Sequence, residues 1–157
     1  TSIGGIQAGI KHNALSLDHL EVMTDQDIAD LHQSKTMPTA LPSCSFFLKI
    51  PFAPVRKMID EGLAIALATD YNPGSTPSGK IPFVVSLACI YQRLTPEEAI
   101  NAVTINSAYA MGISDTHGSI TVGKKANLII TKELSSYNYI PYAFGGNHVE
   151  RVILNGK

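Results

Sequence analysis

Ala66-Leu67-Ala68-Thr69-Asp70-Tyr71-Asn72-Pro73-Gly74-Ser75 is an apolar run that stops on an acid and breaks at once into a turn-forming loop. Taken with the apolar residues just before it, the run predicts a buried β-strand over Leu63–Thr69 that delivers Asp70 to its carboxyl end. That is the end at which α/β barrels gather their reactive groups. Asp70 is therefore the first candidate for chemistry. Behind it, Asn72, Gly74 and Ser75 offer an amide, uncovered backbone and a hydroxyl, all suited to gripping a polar ligand. The same residues are also ordinary turn formers, and an aspartate here can simply bond its own backbone.

Upstream, the sequence cycles through helix, short β-rich run and loop. Ile6, Ile10 and Ala14 share one face of a first helix, and Leu15–Leu20 reads as a strand ending in Asp18-His19. Thr24, with Asp27 three positions later, marks the start of a helix whose apolar face carries Ile28 and Leu31. Met37–Leu41 is the next strand, cut off by Pro42. Pro54 then opens a helix over Val55–Glu61, which Gly62 closes. This βα alternation favours a parallel sheet, open or closed into a barrel. Beyond the Asp70 loop, helices are expected over Ile81–Tyr91, from Thr95-Pro96-Glu97-Glu98, and from Thr104 to Gly112. Strands are expected at Ser119–Val122, Asn127–Thr131 and Val149–Leu154, a β-rich tail that reads as a small subdomain.

The chain has 157 residues and is 45% hydrophobic, enough for one domain with a core. Twelve basic and thirteen acidic residues leave a net charge of −1, which gives no electrostatic footprint for nucleic acid or an anionic membrane. Apolar runs such as Phe83–Cys89 are too short to span a bilayer. Cys44 and Cys89 form neither a disulfide framework nor a metal-ligand pair, which fits a reducing, cytoplasmic setting.

His19 ends its strand as Asp70 ends another, so a carboxylate and an imidazole are expected on one rim of one sheet. A core histidine satisfied by backbone is the plainer alternative for His19. His12 and His32 fall near helix ends, and His117 and His148 lie in the tail. No His-x-His pair occurs in the chain, and Asp70 with one histidine does not complete a catalytic zinc site of three protein ligands. Neither a phosphate-binding glycine loop nor a nucleophile elbow is present.

Thr95-Pro96-Glu97-Glu98-Ala99-Ile100, Thr104-Ile105-Asn106, Gly118-Ser119-Ile120 and Val122-Gly123-Lys124-Lys125-Ala126-Asn127-Leu128 resemble the C-terminal signature of the amidohydrolase superfamily. Those are metal-dependent hydrolases on a (β/α)8 TIM-type barrel with a small β-sandwich. Asn127 stands where the family usually has aspartate, at a structural turn. The resemblance implies an α/β fold. Residues 1–113 would be the C-terminal part of the barrel, about its last three βα units and the C-terminal helices. Residues 114–157 would be the C-terminal part of the sandwich.

Within the superfamily, Thr69 to Ser75, Asp18-His19-Leu20, Leu41-Pro42 and Tyr142-Ala143-Phe144-Gly145-Gly146-Asn147 resemble one branch of cyclic amide hydrolases. Its members open 4-imidazolone-5-propanoate with water to give N-formimino-L-glutamate in histidine breakdown. Carried onto this sequence, the resemblance makes Asp70 a metal ligand that also takes a proton from the attacking water. It sets His19 close to that water and the ring carbonyl, and makes Asn72, Gly74 and Ser75 bind the substrate at a carboxylate. It also implies one metal ion per site, zinc or iron, in the complete enzyme, and a homo-oligomer, expected to be a dimer.

By the same resemblance, the family's His-x-His, a further metal-binding histidine and a nearby glutamate fall before Thr1. The chain is then expected to be the C-terminal portion of a longer enzyme, inactive alone and binding metal weakly at best. It is also expected to self-associate through exposed sheet edges. Two other readings stand beside this one. Another amidohydrolase, a deaminase or a dihydropyrimidinase-like cyclic amidase, would not be expected to carry Asn-Pro-Gly-Ser after the aspartate. A non-catalytic α/β binding module would use Asp70 and His19 structurally.

Overall fold

The computed structural model describes residues 3–157; Thr1 and Ser2 lie outside the described residues. In chain order the elements are α1 (Gly5–Lys11), β1 (Ser16–His19), α2 (Asp25–His32), β2 (Met37–Ala40), α3 (Pro42–Leu48), α4 (Val55–Asp60) and β3 (Ala66–Leu67). After these come α5 (Ile81–Tyr91), α6 (Pro96–Val103), α7 (Ile105–Ala110), β4 (Leu128–Thr131), α8 (Tyr139–Tyr142) and β5 (Val149–Ile153).

β1, β2 and β3 form a parallel sheet in that order, with His19 opposite Ala40 and Ala40 opposite Leu67. Parallel neighbours need crossovers, which α2 supplies between β1 and β2, and α3 with α4 between β2 and β3. β2 is buried along its whole length, as the centre of a covered parallel sheet must be. Ala40 and Leu67 join Ile28, Val55, Met58, Val84, Val85 and Ala99 in one core cluster.

Local chemistry sets the helix starts. The Thr24 hydroxyl accepts from the Asp27 N–H, while the Asp27 carboxylate accepts the Thr24 N–H at 2.8 Å. Thr95 and Glu98 build the same reciprocal box at α6, where Pro96 sits in the first turn and removes a donor that would have no helical partner.

Several expectations are corrected. Of Leu63–Thr69, only Ala66–Leu67 is strand, because β3 pairs with β2 alone and only opposite Thr39–Ala40. The Ile65 and Leu67 carbonyls accept instead from Asn106 Nδ2 of α7 at 2.8 Å and Ser107 Oγ at 3.1 Å. Pro42 ends β2 and also opens α3, a helix whose start carries no side-chain cap to announce it. Thr104 does not cap α7 through its side chain, since its hydroxyl donates back to the Ile100 carbonyl at 2.6 Å.

Ser119–Val122 is not a strand. Ile120 and Val122 lie open to solvent, and no strand pairs with them among the described residues. β4 and β5 form a two-stranded antiparallel ribbon with a bulge at Ile130/Thr131, and it does not amount to a β-sandwich. The parallel sheet is, among the described residues, three-stranded and open, in keeping with the expected three βα units and without closure into a barrel. Asn127 Oδ1 accepts the Asn155 N–H at 2.7 Å and ties the ribbon's ends, a structural role that an amide fills without a charge.

Candidate active site

Parallel pairing in register brings the carboxyl ends of β1, β2 and β3 to one rim. His19 closes β1, and Asp70 lies just past β3 after Ala68-Thr69, so the two stand beyond the carboxyl ends of the strands on either side of β2. The structure thus places the two residues singled out from sequence on the same edge of the same sheet.

The Asp70 turn is held from within. Asp70 adopts left-handed backbone, φ 52°. Ser75 Oγ donates to Asp70 Oδ2 at 2.8 Å. Asn72 Nδ2 donates to the Asp70 carbonyl at 2.7 Å and to Ser75 Oγ at 2.6 Å. Asn72 Oδ1 accepts the N–H groups of Gly74 and Ser75, both at 2.8 Å. Asn72 and Thr76 exchange both backbone hydrogen bonds across the base of the turn. Asn72, Gly74 and Ser75 therefore stand together with Asp70 as expected, but their polar groups are occupied in building the loop. The Thr76 hydroxyl is buried without a hydrogen-bond partner.

Between His19 and Asp70 lie residues that no motif in the sequence marks. Ser43 Oγ donates to the Thr69 carbonyl at 2.9 Å, and Ser45 Oγ approaches Glu21 Oε1 at 3.4 Å, so the first turn of α3 stitches β2's end to both neighbours. Cys44 between them is buried. Burial pushes its thiol up, and the nearby Asp70 and Glu21 charges add to that while a hydrogen bond involving Ser75 opposes it. Such a thiol stays protonated at neutral pH and serves as packing rather than as a nucleophile. Glu21 lies with Oε1 3.4 Å from His19 Nδ1. The signal that finds Ser43 to Ser45 is the one that found Asp70, applied to β2: residues just past the carboxyl end of a buried parallel strand face the same rim.

Two clefts lie elsewhere. One of about 550 Å³, lined by His32, Thr36, Leu63 and Tyr109, sits at the amino ends of β2 and β3. Another of about 630 Å³ lies between α7 and the ribbon, against Ala108, Gly118 and Ile130. Neither contains Asp70 or His19.

A metal ion needs more donors than this rim supplies. Asp70 offers a carboxylate steadied through Oδ2, but among the described residues no group of three His, Cys, Asp or Glu side chains could hold an ion. The described residues do not by themselves complete a metal site.

The α/β fold with its open parallel sheet agrees with what comparison with known proteins shows. The Amidohydrolase family profile matches residues 3–157, and the chain belongs to that family. Within it, the chain is 67% identical to the imidazolonepropionase of Flavobacterium johnsoniae over 156 residues, covering 99% of this chain and 38% of that protein. It is 63% identical to that of Christiangramia forsetii over 156 residues, with the same coverage. It is 48% identical to that of Bacillus cytotoxicus, covering 99% of this chain and 37% of the relative. The chain is thus an imidazolonepropionase homologue that spans about 38% of the length of these relatives.

Solved structures agree on the fold. An adenosine deaminase from Xanthomonas campestris with bound zinc superposes with a TM-score of 0.82 at 23% identity, over 90% of this chain and 36% of that one. An Escherichia coli guanine deaminase gives 0.76 at 14% identity, over 90% and 38%.

Proposed function

We infer that this chain forms part of an imidazolonepropionase, which adds water to the ring carbonyl of 4-imidazolone-5-propanoate and breaks the adjacent C–N bond to give N-formimino-L-glutamate. The observation that supports it best is the Asp70–Ser75 turn, which carries a carboxylate backed by a hydroxyl on the carboxyl rim of the sheet that also holds His19's strand. In this reading Asp70 takes the proton lost by the attacking water and returns it to the departing ring nitrogen. His19 stands beside the carbonyl. Asn72, Gly74 and Ser75 receive the propanoate carboxylate, whose oxygens replace Asn72 Oδ1 as acceptor for the Gly74 and Ser75 N–H groups.

Asp70 would also be one ligand of a zinc or iron ion whose other donors lie outside this chain. Residues 1–113 would make up the last part of a (β/α)8 barrel and 114–157 part of a small β-sandwich, in a cytoplasmic homo-oligomer.

The test uses the full-length protein. Its incubation with 4-imidazolone-5-propanoate is expected to consume the imidazolone absorbance and release N-formimino-L-glutamate, and Asp70→Asn is expected to lower kcat by at least about 1,000-fold, the scale on which a proton-transfer group contributes. A folded, metal-loaded full-length protein that leaves the imidazolone intact overturns the reading.

A further inference from the structure

Glu21 is only two positions beyond His19, yet its carboxylate stands beside His19's ring. The reason is the backbone between them: His19 and Leu20 both take left-handed conformations, φ 73° each, and turn the chain sharply as it leaves β1. Two successive non-glycine residues in that region are strained and persist only when their surroundings fix them. Leu20 is buried in the core cluster, which supplies that fixing.

Glu21 Oε1 then lies 3.4 Å from His19 Nδ1, and Ser45 Oγ of α3 lies 3.4 Å from the same oxygen. The two side chains differ in exposure. That of His19 is 52% exposed and that of Glu21 only 12%. A carboxylate so far withdrawn from water needs partners, and here the Ser45 hydroxyl donates to it while the imidazole lies within ion-pairing distance.

A neutral imidazole can carry its proton on either nitrogen, and the hydrogen bond made by one nitrogen decides which. A carboxylate 3.4 Å from Nδ1 electrostatically repels a lone pair there and favours an N–H, which leaves the lone pair on Nε2. We propose that Glu21 is a positioning residue: anchored by Ser45, it fixes His19 as the Nδ1–H tautomer and presents the Nε2 lone pair to the rim that Asp70 shares. The consequence for rate rests on the function proposed above. The tautomer assignment does not.

The two parts are tested on the full-length protein. Histidine-¹⁵N spectra at neutral pH, with the His19 ring identified by its loss in His19→Asn, are expected to show Nδ1 protonated and Nε2 bare. Glu21→Ala is expected to move His19 toward the Nε2–H form that free imidazole prefers, while Glu21→Gln, whose amide oxygen still favours an N–H at Nδ1, keeps the original pattern. In kinetics, Glu21→Ala is expected to lower kcat about 10- to 100-fold, as loss of a histidine's supporting carboxylate does, with KM nearly unchanged and Glu21→Gln recovering most of the rate.

A His19 ring that reads the same in Glu21→Ala as in the parent overturns the proposal, as does a Gln variant no better than Ala. Should Glu21→Ala fail to fold, the Gln variant's ring pattern and rate decide alone: a bare Nδ1, or a loss of kcat beyond about tenfold, sinks the idea. An inactive parent whose His19 is still Nδ1–H refutes the function and spares the tautomer.

Discussion

Gly118 shows how much one position can require. Its backbone is left-handed, φ +88°, and a Cβ there would lie 2.7 Å from Ala108 Cβ, 2.9 Å from Ile105 Cα and 3.0 Å from the Thr104 carbonyl oxygen. Two of those three atoms are backbone and cannot swing aside. Gly118→Ala is expected to destabilise by about 2–4 kcal/mol, combining overpacking with left-handed strain. A thermal unfolding midpoint within a degree of the parent's would refute this account of how the tail seats on α7. At the same scale, the positions of Asp70 and His19 on the sheet's carboxyl rim were legible because each comes at the end of a stretch that reads as β-strand in the sequence. Glu21 was not, since its approach to His19 depends on two consecutive left-handed residues that nothing in Asp18-His19-Leu20-Glu21 announces. Asn72 was legible as part of the loop. Its four hydrogen bonds within that loop were not, because an Asn-Pro-Gly-Ser string fits a ligand-gripping loop and a self-bonded turn equally well.

Among the elements, α4 and α6 are joined by Arg56, whose Nη1 and Nη2 donate to the two Glu98 carboxylate oxygens at 2.8 and 3.1 Å. Glu98 at the same time closes the capping box with Thr95. The Arg56 guanidinium first, and the Thr95 N–H besides, hold the Glu98 carboxyl below the ordinary glutamate range against the opposing effect of partial burial. A carboxyl lowered in the folded state stabilises fully above the unfolded chain's value, and that contribution fades as pH falls through the folded one. Glu98→Gln should therefore cost about 1 kcal/mol at neutral pH, and the gap to the parent should narrow as the solution is acidified below the ordinary glutamate value. Chemical denaturation at a series of pH values measures it, and a gap that widens toward acid contradicts the assignment. Both capping boxes were readable in sequence because their partners are three residues apart, whereas the Arg56–Glu98 pair spans two helices and needed the fold. β3 was overread for a related reason: an apolar run specifies burial, but how much of it becomes strand is set by what pairs with it.

For the whole molecule, the question is what happens to a parallel sheet that stops at three strands. Parallel sheets are ordinarily covered on both faces and, in barrels, have no edge. Here the carbonyls of Ile65 and Leu67 are taken by α7, but β1 has a pairing partner on one side only among the described residues. Apolar side chains add to that liability: Phe46, Phe47 and Leu48 are exposed in succession on α3, and Ile129, Val152 and Leu154 on the ribbon. Surfaces of this kind are rare on monomers and favour association. The 157-residue chain produced by itself is accordingly expected to self-associate at micromolar concentration in sedimentation velocity. Without three donors around Asp70, it should also take up zinc or iron at less than one tight equivalent and leave 4-imidazolone-5-propanoate unchanged. On the proposed function the outcomes are linked, because the donors that would complete an ion site around Asp70 would come with the strands that continue the sheet. A cooperatively folded monomer that binds one metal ion tightly and turns over substrate would therefore refute the partial barrel and the shared metal site together. A self-associating chain with a tight, stoichiometric ion would refute only the second, and would point to ligands contributed across the association interface.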